Sequence, residues 1–149
     1  MVRDDALGPD ALALIALSEA ELAALYPPEV RFAFSPEELT QAGTRFYVAH
    51  DGWAVGCGGY AVMRDANGPY AELKRMFVRA EARGRGIAAR LLEVLEDGAR
   101  AEGLPIMRLE TGTDSPAAIR AYEKAGYVRR AAFGAYTENG SSVFMEKQL

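Results

Sequence analysis

The chain reads as an α/β protein with a mixed, mostly antiparallel central sheet flanked by about four helices. Three observations predict this. Residues 45–78 interleave apolar and polar positions between tight turns, the pattern of an antiparallel meander. From Ile87 the apolar positions switch to helical spacing, and Ile106–Thr111 reads as a strand again. Strand, helix and strand in succession make a right-handed crossover, so the strand at Ile106–Thr111 should run parallel to the one before the helix.

Taken in order, MVRDDALGP leaves room for only a short first strand, or none, before Gly8-Pro9. From Asp10 to Tyr26 the residues Leu14, Ile15, Ser18, Leu22 and Leu25 line one side of a helix, with Asp10 as N-cap and Pro27-Pro28 as the stop. Ser35-Pro36-Glu37-Glu38 is a capping box with proline at the first helical position, which predicts a short second helix. Arg45–His50 and Trp53–Met63 flank an Asp51-Gly52 turn, and Asp65–Pro69 turns the chain into the strand Tyr70–Val78. Gly56, Gly58 and Gly59 weaken the middle strand and predict a bulge or a close approach of another group. The long helix from Ile87 ends at Gly103 and Pro105, and Asp114-Ser115-Pro116 opens a fourth helix through Lys124 that Gly126 closes. Tyr127–Phe133 and Ser142–Lys147 then form a terminal hairpin. With 149 residues and no linker or repeat, residues 1–149 are expected to make a single domain.

Composition narrows the chemistry. The net charge of −4 argues against a nucleic-acid partner. Cys57 is the one cysteine, so an internal disulfide and a cysteine metal site are excluded, and a buried strand residue is the better reading of it than a nucleophile. His50 is the one histidine, which removes most Ser-His, Cys-His and zinc arrangements, so no metal is expected. A secretion signal and an apolar run of about 20 residues are both missing, which predicts a soluble, cytoplasmic protein with no membrane partner.

The change of period falls on Arg83-Gly84-Arg85-Gly86. Two glycines and two guanidinium groups therefore meet the unpaired N–H groups and positive dipole end of the long helix, an arrangement that would hold phosphate or pyrophosphate. Gly84-x-Gly86-x-x-Ala89 also fits a Rossmann dinucleotide pattern, with Glu110 at a strand end as acidic partner. Against that, Arg79–Ala82 separate the glycines from a strand that carries Glu72, Lys74 and Arg75, and too little chain remains for a doubly wound sheet.

Arg83-x-x-Gly86-x-Ala88 resembles the R/Q-x-x-G-x-G/A acetyl-CoA signature of the GNAT family, the GCN5-related N-acetyltransferases. Downstream, Ala118-x-x-Ala121-Tyr122-Glu123-Lys124-Ala125-Gly126-Tyr127 is similar to the family's second signature, and the two stand in the family's order. The resemblance covers residues 45–149. It departs where the family often has an asparagine seven residues before the tyrosine, a cofactor contact; this position is Ser115, whose hydroxyl can still form a hydrogen bond.

The resemblance implies a sheet splayed between its two parallel strands, with acetyl-CoA as co-substrate in the splay. It places the pantetheine arm along the backbone of Met76, Phe77 and Val78, and the pyrophosphate on Arg83, Gly84, Arg85, Gly86, Ile87, Ala88 and Ala89, with Ser115 and Tyr122 completing the cofactor contacts. Transfer of acetyl to an amine needs a base, because an amine of pKa about 10.4 is only about 0.1% neutral near pH 7.4. Glu72, at the offset of a catalytic glutamate in histone-acetylating relatives, and Glu110, across the splay, are the candidates; Glu72 can equally be a strand carboxylate paired with Lys74 or Arg75. Tyr122 holds the family's general-acid position, while helix periodicity alone makes it core. The implied function is acetyl transfer to the primary amine of a small or amino-acid-like molecule by direct attack in a ternary complex. A non-catalytic acyl-CoA-binding module and a protein N-acetyltransferase are the alternatives, and a homodimer is left open.

Overall fold

The meander comes first in the core of the protein. In the computed structural model, which describes residues 2–3, 7–33 and 35–149, the strands β1 (Val2–Arg3), β2 (Thr44–His50), β3 (Ala54–Asp65) and β4 (Gly68–Val78) pair antiparallel in that order. The first strand is thus present over two residues, and residues 1 and 4–6 lie outside the described chain. After α2 (Ile87–Ala101) the chain enters β5 (Ile106–Gly112), which runs parallel to β4 as the crossover requires. Beyond α3 (Pro116–Lys124), β6 (Val128–Arg130) takes the edge and β7 (Ser142–Gln148) inserts between it and β5, giving the order β1-β2-β3-β4-β5-β7-β6. The expected terminal hairpin is therefore also a bridge, since β7 pairs with β5 along its whole length.

Two helical predictions are corrected. Helix α1 (Pro9–Leu25) starts with Gly8 at the N-cap, so Asp10 sits in its first turn, and Ala11, Leu14, Ile15 and Ser18 are buried while Leu25 is exposed. The capping box is real, with Ser35 N–H donating to Glu38 Oε1 at 3.0 Å and Glu38 N–H to Ser35 Oγ at 3.2 Å, yet it caps only a 3₁₀ turn at Glu38–Thr40. One turn with a single buried residue, Leu39, has too little apolar face to propagate. The described residues form three α-helices where about four were expected.

The two sheet faces carry separate cores. Helices α2 and α3 cover one, where Leu92, Leu95 and Ile119 pack on Tyr60, Leu73, Leu109 and Met145. Helix α1 covers part of the other, with Leu14 and Ile15 on Phe46, Val48, Cys57 and Phe77. The glycines of β3 answer to close packing: a Cβ on Gly56 would lie 2.9 Å from the Phe77 carbonyl, and one on Gly58 would overlap Met76 Sδ. Opposite Gly58 the pairing jumps from Cys57↔Phe77 to Gly59↔Lys74, so Arg75 and Met76 together face one residue. Arg75 takes φ 56° to make this bulge, a conformation costing about 1–2 kcal/mol for a residue with a Cβ. Its guanidinium pairs with Glu19 of α1, and its carbonyl accepts from the Cys57 thiol at 3.4 Å. Burial pushes that thiol up to about 12, in keeping with a structural cysteine.

Candidate active site

Strands β4 and β5 pair only at Ala71↔Met107 and Glu72↔Arg108 and then part. Beyond Glu72, the β5-facing edge of β4 through Met76, Phe77 and Val78 is left open, and the bulge at Arg75 turns it further. At the upper end of this cleft α2 begins at Gly86, with no side-chain cap and no acidic residue in its first turn. Gly84 (φ 80°) and Gly86 (φ 77°) are both left-handed, and a Cβ at either would meet nothing within 4 Å, so backbone conformation rather than crowding selects glycine. Uncapped N–H groups, the dipole's positive end and two arginines form a cradle for a diphosphate.

Those arginines are held by weak contacts. Arg83 pairs with Glu21 at 2.6 Å and donates from Nε to the Val78 carbonyl at 2.9 Å; Arg85 lies 3.5 Å from Asp51. Exposed pairs of this kind are worth about 0–1 kcal/mol, so a diphosphate can displace the carboxylates. An open strand edge is thus continuous with a group of anion-binding donors.

Inside the cleft the structure brings the predicted carboxylates together. Glu72 is buried, forms an ion pair with Lys74 at 2.6 Å and accepts from the Tyr136 hydroxyl at 2.6 Å. Lys74 Nζ also donates to Tyr136 Oη at 2.9 Å, closing a triangle. Both bonds to Glu72 fall on Oε2, so its pairing with Lys74, the structural alternative, is realised. Glu110 stands apart from this triangle and accepts one bond, from Ser142 Oγ at 2.7 Å. Burial pushes its carboxyl up to about 7, opposed by the Ser142 bond and the Lys74 charge and assisted by Glu72.

Tyr122 packs from α3 against the core that holds Leu109 and Met145, and its ring meets Tyr127 edge-on at 5.8 Å. Burial, with the nearby Glu110 charge, raises its hydroxyl far above the usual phenol value, so the proton stays on at neutral pH. Ser115 sits just before α3, hydrogen-bonded to the Tyr26 hydroxyl at 2.9 Å.

Sequence reasoning missed Tyr26, Tyr136 and Ser142. Tyr26 closes the end of β5, where a Cβ on Gly112 would overlap its ring and hydroxyl. Tyr136 lies in the loop GAYTENG, its ring packed edge-on against Phe32 at 5.4 Å and Phe133 at 5.2 Å. An open depression of about 380 Å³, lined by Glu38, Gln41, Thr44, Ala61, Val62 and Met63, contains none of the predicted site residues. Among the described residues no cluster of His, Cys, Asp and Glu could hold a metal ion, and no helix is long and apolar enough to cross a membrane.

Residues 11–127 match the model of the acetyltransferase (GNAT) family. The chain is 41% identical to an IAA acetyltransferase of Azospirillum brasilense over 100% of this chain and 97% of that one. It superposes with a TM-score of 0.81 and 31% identity on a structure from Klebsiella pneumoniae assigned to the acyl-CoA N-acyltransferases, covering 99% of this chain and 95% of that one. An aminoglycoside 6'-N-acetyltransferase complexed with coenzyme A shares the fold at a TM-score of 0.68 and 19% identity, over 99% and 97% of the two chains.

Proposed function

From the premise that the chain belongs to the GNAT acetyltransferase family, we propose that it transfers acetyl from acetyl-CoA to the primary amine of a small molecule, with Glu110 as base and Tyr122 as donor to the leaving sulfur. The observation that carries the proposal is the parting of β4 from β5, which opens the end of β4 that leads into the uncapped start of α2. The relative named IAA acetyltransferase supports a small-molecule acceptor over a protein.

Acetyl-CoA supplies the acetyl group as a thioester. The uncapped start of α2, with Arg83 and Arg85, binds its diphosphate; Gly84 and Gly86 admit it to the backbone. Backbone groups of Met76, Phe77 and Val78 hold the arm, and Ile87, Ala88 and Ala89 contribute first-turn N–H groups. The Val78 carbonyl is already engaged by Arg83 and the Phe77 carbonyl faces β3, so the Met76 carbonyl and the Val78 N–H carry that contact. Ser115 adds its hydroxyl when Tyr26 yields it.

The acceptor amine arrives protonated, and Glu110 takes its proton. Raising the carboxyl to about 7 narrows the gap to an amine of pKa about 10.4 from about 6 to about 3, which lowers the cost of that transfer by about 3 kcal/mol. The amine lone pair forms the new C–N bond as the C–S bond breaks. Tyr122 donates a hydrogen bond to the departing sulfur; with its proton so firmly held, it stabilises the thiolate more than it neutralises it. Glu72, already engaged by Lys74 and Tyr136, is left out of the proton transfer.

The test is thiol release from acetyl-CoA with a panel of amines, comparing wild type with Glu110→Gln. General base catalysis is typically worth about 10²–10⁴-fold, and a loss of that size in kcat/KM is expected. Retention within about threefold would remove Glu110 from the chemistry.

A further inference from the structure

We propose that Ser142, oriented by Asn139, is a positioning residue that fixes Glu110 in the cleft and leaves one of its oxygens free to face the acceptor. This rests on the reading of Glu110 as the base. The geometry is a directed chain. Asn139 Oδ1 accepts from the Ser141 and Ser142 N–H groups at 2.8 and 2.9 Å, which fixes the side-chain amide. Its Nδ2 then donates to Ser142 Oγ at 3.1 Å. An amide nitrogen can only donate, so the Ser142 hydroxyl must accept from it and turn its own proton outward. That proton goes to Glu110 Oε2, 2.7 Å away.

The rest of the fold holds the chain in register. Ser142 pairs with Gly112 and Glu110 with Phe144, so Ser142 and Glu110 are diagonal neighbours on one face of the β5–β7 ladder. The Thr113 N–H donates to the Ser141 carbonyl at 2.9 Å and ties the Asn139 turn to the end of β5. With Oε2 occupied, Oε1 is the oxygen that can take the acceptor's proton.

The other charged or titratable groups acting on Glu110 come from three directions. Lys74 and Glu72 act on it from β4, and its own charge is felt by Tyr122 on α3 and Tyr136 in the loop before β7. Lys74 and the Ser142 bond favour the carboxylate, whereas burial and Glu72 favour the acid. Ser142 is the member of this set that acts by a directed hydrogen bond, and its removal leaves the ionised form without that donor.

Carbon-13 NMR titration of side-chain carboxyls in the free protein, with Glu110 assigned from the Glu110→Gln spectrum, tests this without any acceptor. The midpoint of Glu110 should move up by about one pH unit in Ser142→Ala, a hydrogen bond to a charged group being worth about that much, and stay near wild type in Ser142→Thr. Asn139→Asp, in an exposed turn, should also move it up, because an added carboxylate oxygen draws the serine proton away from Glu110. The acidic limb of kcat/KM, read with the fastest amine found, should shift by the same amount. Unmoved midpoints in Ser142→Ala and Asn139→Asp would overturn the role of Ser142 while leaving Glu110 as base intact. Moved midpoints with an unmoved limb, or a Glu110→Gln enzyme at wild-type rate, would instead overturn the base assignment and the positioning role with it.

Discussion

The Tyr26 hydroxyl lies 2.9 Å from the Ser115 hydroxyl and accepts a hydrogen bond from the Asp114 N–H, also at 2.9 Å. One phenol thus joins the end of α1 to the start of α3, and its ring fills the space that a side chain on residue 112 would need. Gly112→Ala should therefore expel the ring, with a destabilisation of about 1–3 kcal/mol from overpacking and the broken bonds. Urea unfolding measures it, and an unchanged midpoint would show that the contact yields freely.

The co-substrate cradle predicts a separable effect. Gly86→Asp places an anion where diphosphate would sit, in a left-handed position that aspartate tolerates at a cost of about 1–2 kcal/mol. Calorimetry should show CoA binding abolished in a folded protein. Wild-type affinity in that variant would move the diphosphate elsewhere, and a rise in melting temperature with NAD but not CoA would revive the dinucleotide reading.

Tyr122→Phe separates packing from chemistry. The ring and its edge contact with Tyr127 remain while the hydroxyl is lost. A drop in kcat of about tenfold or more, roughly 1.4 kcal/mol of barrier, is expected with little change in KM for acetyl-CoA. Turnover within about threefold of wild type would leave Tyr122 a core residue.

The elevated Glu110 also has a signature in stability. Its folded pKa, about 7, lies above the ordinary carboxylate value, so the stability it contributes is fully present below about 4.5 and is lost as pH rises through about 7. Glu110→Gln cannot ionise and escapes that loss. Relative to wild type it should gain about 3 kcal/mol at pH 8.5 and almost nothing at pH 4, as read by urea unfolding at the two pH values. Equal differences at both would mean that Glu110 is not desolvated.

What the sequence revealed divides along the range of the interactions. The capping box at Ser35, the turn at Asp51-Gly52 and the helix start at Gly86 are set by neighbours a few residues away, and each appears where local chemistry puts it. How far the box propagates is a matter of apolar face, and there the expected second helix shrank to a 3₁₀ turn. Glu72 and Glu110 were singled out by the family resemblance, and the crossover makes their strands neighbours. Tyr136, Asn139 and Ser142 were not, because their roles depend on β7 inserting beside β5, a pairing that connects residues 106–112 to 142–148 and leaves no periodic trace in GAYTENG. Nothing about an arginine announces φ 56°, so the bulge at Arg75 could be expected only from the glycines opposite it.

Acetyl transfer, unlike acyl-CoA sensing, consumes the thioester and modifies an amine. Incubation of the protein with acetyl-CoA and each of a panel of small primary amines, followed by thiol release and mass spectrometry of the amine, counts both halves of the reaction. At least one amine should be N-acetylated in equal amount to the CoA released, with the rate rising through pH 7 in wild type and depressed by about 10²-fold or more in Glu110→Gln. Binding of acetyl-CoA with no acetylated amine at any pH would contradict acetyl transfer.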